Sequence, residues 1–347
     1  MTRLCLLLLL PGILASACAT GELPCESRRV VVRNPTGAAV RLHRVVRDVF
    51  GEPRKLGADR VIELRLATGR YALSVGDERP RFAVPLLPRE LGYVPPTSLE
   101  LTVQPTPPGP PGYCWIPPGP GLRGDDLGVG QEDERPVATP FVEGFWLATH
   151  ETTNAQYVAF LNAIGRDAVD AHWLDLDGAK CRVQWDEHAQ RFATDAPELP
   201  VVTVSWAGAV AYCDWLTHTT GTPHRLPTET EWEKAARGPG SRVYAYGDTC
   251  RTDLANQESG RLRAVGQYPP NGFGLFDMTA NAFEWCLDAY ARRAYADNPA
   301  ADGPRAHRVL RGGSFVLDGI FCRNSMRMRL RPDVRADDVG FRVLREG

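Results

Sequence analysis

Arg225-Leu-Pro-Thr228-Glu-Thr-Glu231-Trp232-Glu233-Lys-Ala-Ala-Arg237-Gly238 reads as one short helix with a marked start and a marked stop. Thr228 followed three residues later by Glu231 is a capping box, in which each side chain satisfies a backbone N–H of the other. Gly238 is placed to end the helix, and Pro239 directly behind it cannot continue one. Two more helices are predicted from the same signals. Thr153-Asn-Ala-Gln156 is a second capping box, preceding Tyr157, Phe160 and Leu161. Ser205 can cap a helix with Ala207, Val210, Ala211 and Trp215 on one face, stopped near Gly221. Beyond Gly238, short segments rich in Gly, Asn and Asp replace long periodic runs, and no repeat of solenoid length is visible. The predicted class is α+β with much irregular structure.

Towards the amino terminus the pattern changes to β. Val40 and Leu42 alternate with Arg41 and His43; Ile62, Leu64 and Leu66 lie two apart, as do Tyr71, Leu73 and Val75. Period-two spacing broken by Asn34-Pro35-Thr36-Gly37 and Thr68-Gly69 predicts a half-buried antiparallel sheet. Residues 28–104 are read as a small β-sandwich, an adhesion or spacer module. Pro105-Thr-Pro-Pro-Gly-Pro-Pro111 cannot pair inside a sheet and predicts a stiff linker, with a second domain over 112–346.

The first residues read as an export signal. Arg3 precedes an apolar run from Leu4 to Leu10, too short to span a bilayer, and Ala15-Ser16-Ala17-Cys18 follows. The triplet before Cys18 resembles a bacterial lipobox, with Ala15 where leucine is usual; it would also suit an ordinary signal peptidase. Residues 1–17 are therefore expected to be removed and 18–27 to form a tether, with Cys18 the lipidated residue. The expected address is the cell envelope, as an outer-membrane or periplasmic lipoprotein held at the membrane by its lipid, or else secretion.

Composition narrows the function classes. The 347 residues are 43% hydrophobic and 24% charged, with a formal net charge of −2 and no block of like charges, which argues against nucleic acid as a partner. With Cys5 removed and Cys18 set aside, seven cysteines remain, an odd number, and no CxxC pair exists. The seven histidines include no HxxxH or HExxH pair, and no GxSxG elbow or P-loop is present. Met326-Arg327-Met-Arg329-Leu-Arg331 alternates like a strand with its arginines on one face, by default a solvated edge.

Several blocks, in order, resemble the formylglycine-generating (sulfatase-modifying factor) family. They are Gly144–Tyr157, Pro200–Trp206 with Ala211–Trp215, Arg225–Gly238, Asn271–Met278, Asn281–Trp285, Arg311-Gly-Gly-Ser314 and Gly340-Phe-Arg342. The resemblance covers residues 112–345 and implies a large variant of the C-type lectin fold. It also implies a structural calcium, with Asp277 and Glu284 matching the side-chain ligands and Ala280 and Ala282 the backbone-carbonyl positions; hard cations take such oxygens. A second family calcium site would begin at Asn256 and Gln257, but the loop that should carry its aspartate is missing.

The family converts a substrate cysteine to formylglycine with oxygen and copper, the metal held by two cysteines after the Arg-Gly-Gly-Ser block. Counting from Ser314, the first falls on Leu317 and the second on Cys322; counting back from Arg327 and Gly340 moves Cys322 three places off. Leu317 cannot ligate copper, and thiolates are what hold Cu(I). Two readings follow. In the first, the chain is a non-oxidase member that binds a protein or small ligand. In the second, it is a formylglycine-generating-type oxidoreductase, with Cys322 and Ser314 its catalytic candidates, whose missing copper ligand comes from elsewhere.

Overall fold

A computed structural model of the chain describes residues 27–46, 49–76, 78–87, 98–292 and 306–347. Residues 1–17, Cys18 and the rest of the tether up to residue 26 lie outside the described residues.

Among the described residues the amino-terminal region holds eight strands: β1 (Ser27–Arg33), β2 (Val40–Val46), β3 (Val49–Phe50), β4 (Arg54–Gly57), β5 (Val61–Ala67), β6 (Gly69–Val75), β7 (Phe82–Leu86) and β8 (Ser98–Thr102). They form a three-stranded sheet, β5-β1-β8, and a five-stranded sheet, β3-β2-β6-β7 with β4 also on β2. Val30, Val32, Ile62 and Leu101 from the first sheet meet Val40, Leu42, Tyr71, Leu73 and Val84 from the second in one apolar cluster, which makes a sandwich. The antiparallel expectation fails at one pair: β8 lies parallel to β1, because β8 comes after both sheets and enters at the free edge of β1 through a long connection.

In β6, Tyr71, Leu73 and Val75 point into the sandwich, while Ala72 and Ser74 on the opposite face are also buried. Arg70 shares that second face and reaches the second domain. It donates to Asp248 through Nη1 at 2.8 Å and to Asp126 through Nη2 at 2.5 Å. Arg81 adds a 2.6 Å bond from Nη2 to the Trp115 carbonyl. The proline-rich stretch carries no regular structure, and Gly109 lies so close to the Trp146 ring that a side chain there would collide with it.

The second domain carries β9 (Tyr113–Ile116), β10 (Gly119–Pro120), β11 (Phe141–Val142), β12 (Phe145–Ala148), β13 (Val183–Asp186), β14 (Arg191–Thr194), β15 (His224–Arg225), β16 (Phe283–Ala289), β17 (Arg308–Arg311), β18 (Met328–Leu330), β19 (Val339–Gly340) and β20 (Leu344–Arg345). Two four-stranded sheets, β15-β20-β12-β9 and β18-β17-β16-β19, supply its frame. Among the described residues three α-helices pack on it: α1 (Asn154–Ile164), α2 (Trp206–Thr220) and α3 (Glu229–Arg237). Each starts at the predicted cap. Thr153 and Thr228 form complete capping boxes with Gln156 and Glu231, and Ser205 accepts from the Gly208 N–H. Gly221 and Gly238 end α2 and α3 at φ 68° and 63°, the left-handed region that glycine enters without strain.

Between α3 and β16 the chain runs through residues 238–282 with no helix or strand, and side chains take over the pinning. Asn271 accepts from the N–H of Phe273 and Leu275 and donates to the carbonyls of Ala235 and Ala236, tying the loop to the end of α3. Buried ion pairs do the rest. Glu233 accepts from Gly124 N–H, Arg237 Nε and Arg311 Nη2. Glu229 receives a bidentate Arg327, and Glu134 a bidentate Arg323. The arginine face expected along 327–331 is thus corrected. Arg327 is buried on Glu229, β18 is only three residues long, and Met328 and Arg329 are exposed. A carboxylate at the start of α3, remote in sequence, turned the first arginine inward.

Candidate functional site

Two groups of predicted residues meet in the loop-rich half of the second domain. The first surrounds Ser314. The turn at Gly312 and Gly313 has φ 95° and 81°, and a Cβ on Gly313 would collide with the Cys322 sulfur. Ser314 is fully buried, and its Oγ donates to Asp338 Oδ2 at 2.8 Å, which leaves the hydroxyl fixed and facing away from solvent. Cys322 is likewise fully buried, and burial pushes its thiol up to about 12. Leu317 packs with Cys322, Ala255, Ala280 and Tyr246 in one apolar cluster. The position that counting from Ser314 gives to the first cysteine thus holds a leucine packed against the same apolar cluster as the thiol. A centre needing two thiolates from this segment does not fit these residues. Cys286, the nearest cysteine in the chain, lies in a different cluster around Trp232.

The second group surrounds Arg342, which is fully buried. Its guanidinium holds Glu284 with two bonds, Nε to Oε2 at 2.7 Å and Nη2 to Oε1 at 2.6 Å, and Trp232 Nε1 donates to the same Oε2. Asp277 accepts from the Gly266 N–H at 2.6 Å. Glu151, missed as a site residue by sequence reasoning, completes the group. Asn281 Nδ2 donates to its Oε1 at 2.9 Å, while its Oε2 is buried without a partner among the described residues. Burial, then repulsion from Asp277, holds the Glu151 carboxyl well above the usual range, and burial raises Asp277 as well.

Three carboxylates thus face one guanidinium. Among the described residues no three His, Cys, Asp or Glu side chains are gathered closely enough to hold an ion by themselves, so any ion here would need backbone oxygens too. Asp277, Ala280 and Asn281 sit at φ 55°, 64° and 63°, three non-glycine residues in the left-handed region within five positions. Asn256 Oδ1, beside Asn281, is a second buried oxygen without a partner among the described residues. The orphaned carboxylate oxygen and the orphaned amide oxygen are donors of the kind a hard divalent cation takes, while both Glu284 oxygens are already held by Arg342.

Two four-stranded and two two-stranded sheets, three α-helices among the described residues, a long side-chain-pinned loop, a buried carboxylate cluster and an Arg-Gly-Gly-Ser turn define a sulfatase-modifying type of domain. Residues 100–347 match the model of the sulfatase-modifying factor enzyme 1-like domain, and the chain belongs to that family. It is 33% identical over 284 residues to the formylglycine-generating enzyme of Streptomyces coelicolor, covering 67% of this chain and 88% of that one. It is 33% identical over 223 residues to the serine/threonine-protein kinase pkn1 of Chlamydia pneumoniae, 61% of this chain but 35% of that protein. Among solved structures, PvdO from Pseudomonas aeruginosa superposes with a TM-score of 0.55 at 26% identity, over 68% of this chain and 94% of that one.

Proposed function

We propose that the protein is an exported lipoprotein, anchored through Cys18, whose formylglycine-generating-enzyme-like domain binds a protein or small ligand and performs no cysteine oxidation. The observation that carries this reading is Leu317 packed against the same apolar cluster as Cys322, with that thiol fully buried. The alternative, an oxidoreductase acting on a cysteine of a sulfatase-like substrate, requires a second soft ligand; Leu317 cannot supply it, so it would have to come from another thiol, such as Cys250 against Gly319. Copper titration of the reduced protein, paired with an aldehyde assay on a Cys-x-Pro-x-Arg peptide, separates the two. No tight binding and no aldehyde are expected; aldehyde formed by the wild type and abolished in Cys322→Ser would establish the oxidase.

Calcium is the cofactor the buried acids favour. Asp277 and Glu284, with the carbonyls of Ala280 and Ala282, would hold it, and Glu151 supplies further negative charge. Bound there, the ion would neutralise the acids and fix the strained loop. Melting temperature should then rise with calcium and fall on chelation, and Asp277→Ala should abolish the response. A melting curve unmoved by chelator removes the site. Lipidation is tested by mass spectrometry of the mature amino terminus, where an unmodified Cys18, or a start beyond it, refutes the anchor.

A further inference from the structure

Cys250 is remote from Cys322 in sequence, yet both sulfurs press on the same peptide unit. Cys322 Sγ is 3.7 Å from the carbonyl oxygen of Asp318. Cys250 Sγ lies against the next residue, Gly319, where a Cβ would collide with it and would stand 2.6 Å from Gln257 Oε1. Gly319 is absent from the residues at positive φ, so its backbone makes no demand for glycine; what excludes a side chain is the sulfur. Gly313 makes the matching space for Cys322. A single 3-10 turn, Gly319–Cys322, carries the contact at one end and the second thiol at the other.

The surroundings differ on the two sides. Cys250 is exposed, and Gln257 Nε2 donates to its sulfur at 3.5 Å. Cys322 is sealed. Nearby in the chain, the rings of Tyr244 and Tyr246 stack with their centroids 5.5 Å apart. Around the turn, Val316, Ile320 and Phe321 are 53%, 45% and 42% exposed, a small apolar rim beside the accessible thiol.

We propose that Cys250 and Cys322 form a dithiol site that undergoes thiol–disulfide exchange with disulfide-bearing ligands, Cys250 attacking and Cys322 resolving. In the first step the Cys250 thiolate attacks one sulfur of an external disulfide. The external S–S bond breaks, and the departing thiolate takes up a proton. In the second step Cys322 loses its proton and attacks the Cys250 sulfur, which forms the internal disulfide and releases the second external thiol. Two protein thiols are oxidised and one external disulfide is reduced to two thiols. The short turn has to carry the Cys322 sulfur past Gly319 to close the bond. Cys250 is exposed and Cys322 sealed, so an external disulfide meets Cys250 first, which gives the order of events. The proposal uses no metal and is independent of export and of the ligand-binding reading.

The test uses the full chain, fully reduced, with a chelator present and oxidised glutathione as the probe. Peptide mapping by mass spectrometry under non-reducing conditions should find a Cys250–Cys322 cross-link that dithiothreitol reverses. Cys322→Ser, and Cys322→Ala in parallel, should trap glutathione on Cys250. Cys250→Ser should leave Cys322 unmodified in the native protein. Gly319→Ala, which displaces the Cys250 sulfur, should slow closure by about tenfold, since exchange depends on access between the sulfurs. A wild-type protein that keeps glutathione on Cys250 with Cys322 still free, or that forms no adduct at Cys250, overturns the proposal.

Discussion

Changing Glu233 to glutamine removes one charge and almost no volume from a buried network. The carboxylate is fully buried and faces two guanidiniums, Arg237 at 2.9 Å and Arg311 at 2.5 Å, themselves 2% and 0% exposed. An amide in that place keeps an acceptor for Gly124 N–H but turns an NH₂ group towards an arginine. Breaking a buried pair on one side typically costs about 3–5 kcal/mol, because the remaining charge is left uncompensated. For a domain of this size each kcal/mol moves the melting temperature by about 2–4 °C, so a fall of roughly 6–20 °C is expected. Calorimetry reads the shift, and tryptophan fluorescence follows it locally, since Trp232 is buried next to Glu233. Asp195→Asn is the control: its pair with Arg182 is solvent-exposed, and no measurable change is expected. The double change Glu233→Leu with Arg311→Met removes charge from both sides and should cost less than the two single changes added together. A Glu233→Gln shift no larger than the control's would refute the reasoning.

Three further outcomes can be checked. Thr228→Ala removes the cap of α3 and one half of its box, and should cost about 1 kcal/mol in denaturant unfolding; an unchanged midpoint would mean the cap is redundant. Lys234→Met removes a buried ammonium that donates to the carbonyls of Pro117, Gly119 and Val142. Leaving those acceptors unpaired should destabilise by about 1–3 kcal/mol or more, and a neutral result would mean water replaces the donors. Burial, with repulsion from Glu229 and Glu231, pushes the Asp288 carboxyl up to about 6, above its ordinary 3.8, with Arg308 the cation facing it. The native state thus holds a proton that the unfolded chain has released in that window. The stability contribution of this group is fullest in acid and is lost as pH rises through about 6. Asp288→Asn keeps an acceptor for the Glu229 N–H, so it should be neutral in acid and raise the melting temperature at neutral pH. Equal shifts at both pH values would rule that account out.

Features of this fold that depend on near neighbours could be read from the chain. The helix caps were legible because Thr153, Ser205 and Thr228 bond to N–H groups three residues away. The alternation of Val40 with Leu42, and of Tyr71 with Leu73, follows from the geometry of a strand. What failed was set by distant partners. Glu151 lies 130 residues from the Asn281 side chain that holds it, and nothing local marks it as buried. Arg327 looked like part of a solvated face because Glu229, its partner, is 98 residues away. Cys250 was one cysteine among several until Gly319 placed its sulfur. The charged residues of the Arg225–Gly238 stretch were the most recognisable part of the chain. In the fold Glu233 and Arg237 tie loops together through buried pairs.

Arg70 changes what the amino-terminal sandwich means for the rest of the molecule. Its guanidinium sits between Asp126 and Asp248, which belong to two different loops of the second domain and have no strand or helix of their own to hold them. A chain starting at residue 112 would retain Arg237 beside Asp126 but would leave Asp248 without this cation. The sandwich is thus a missing wall of the larger domain as much as a module in front of it. Grafting the family domain from this protein onto another carrier would require either the sandwich or new partners for both aspartates.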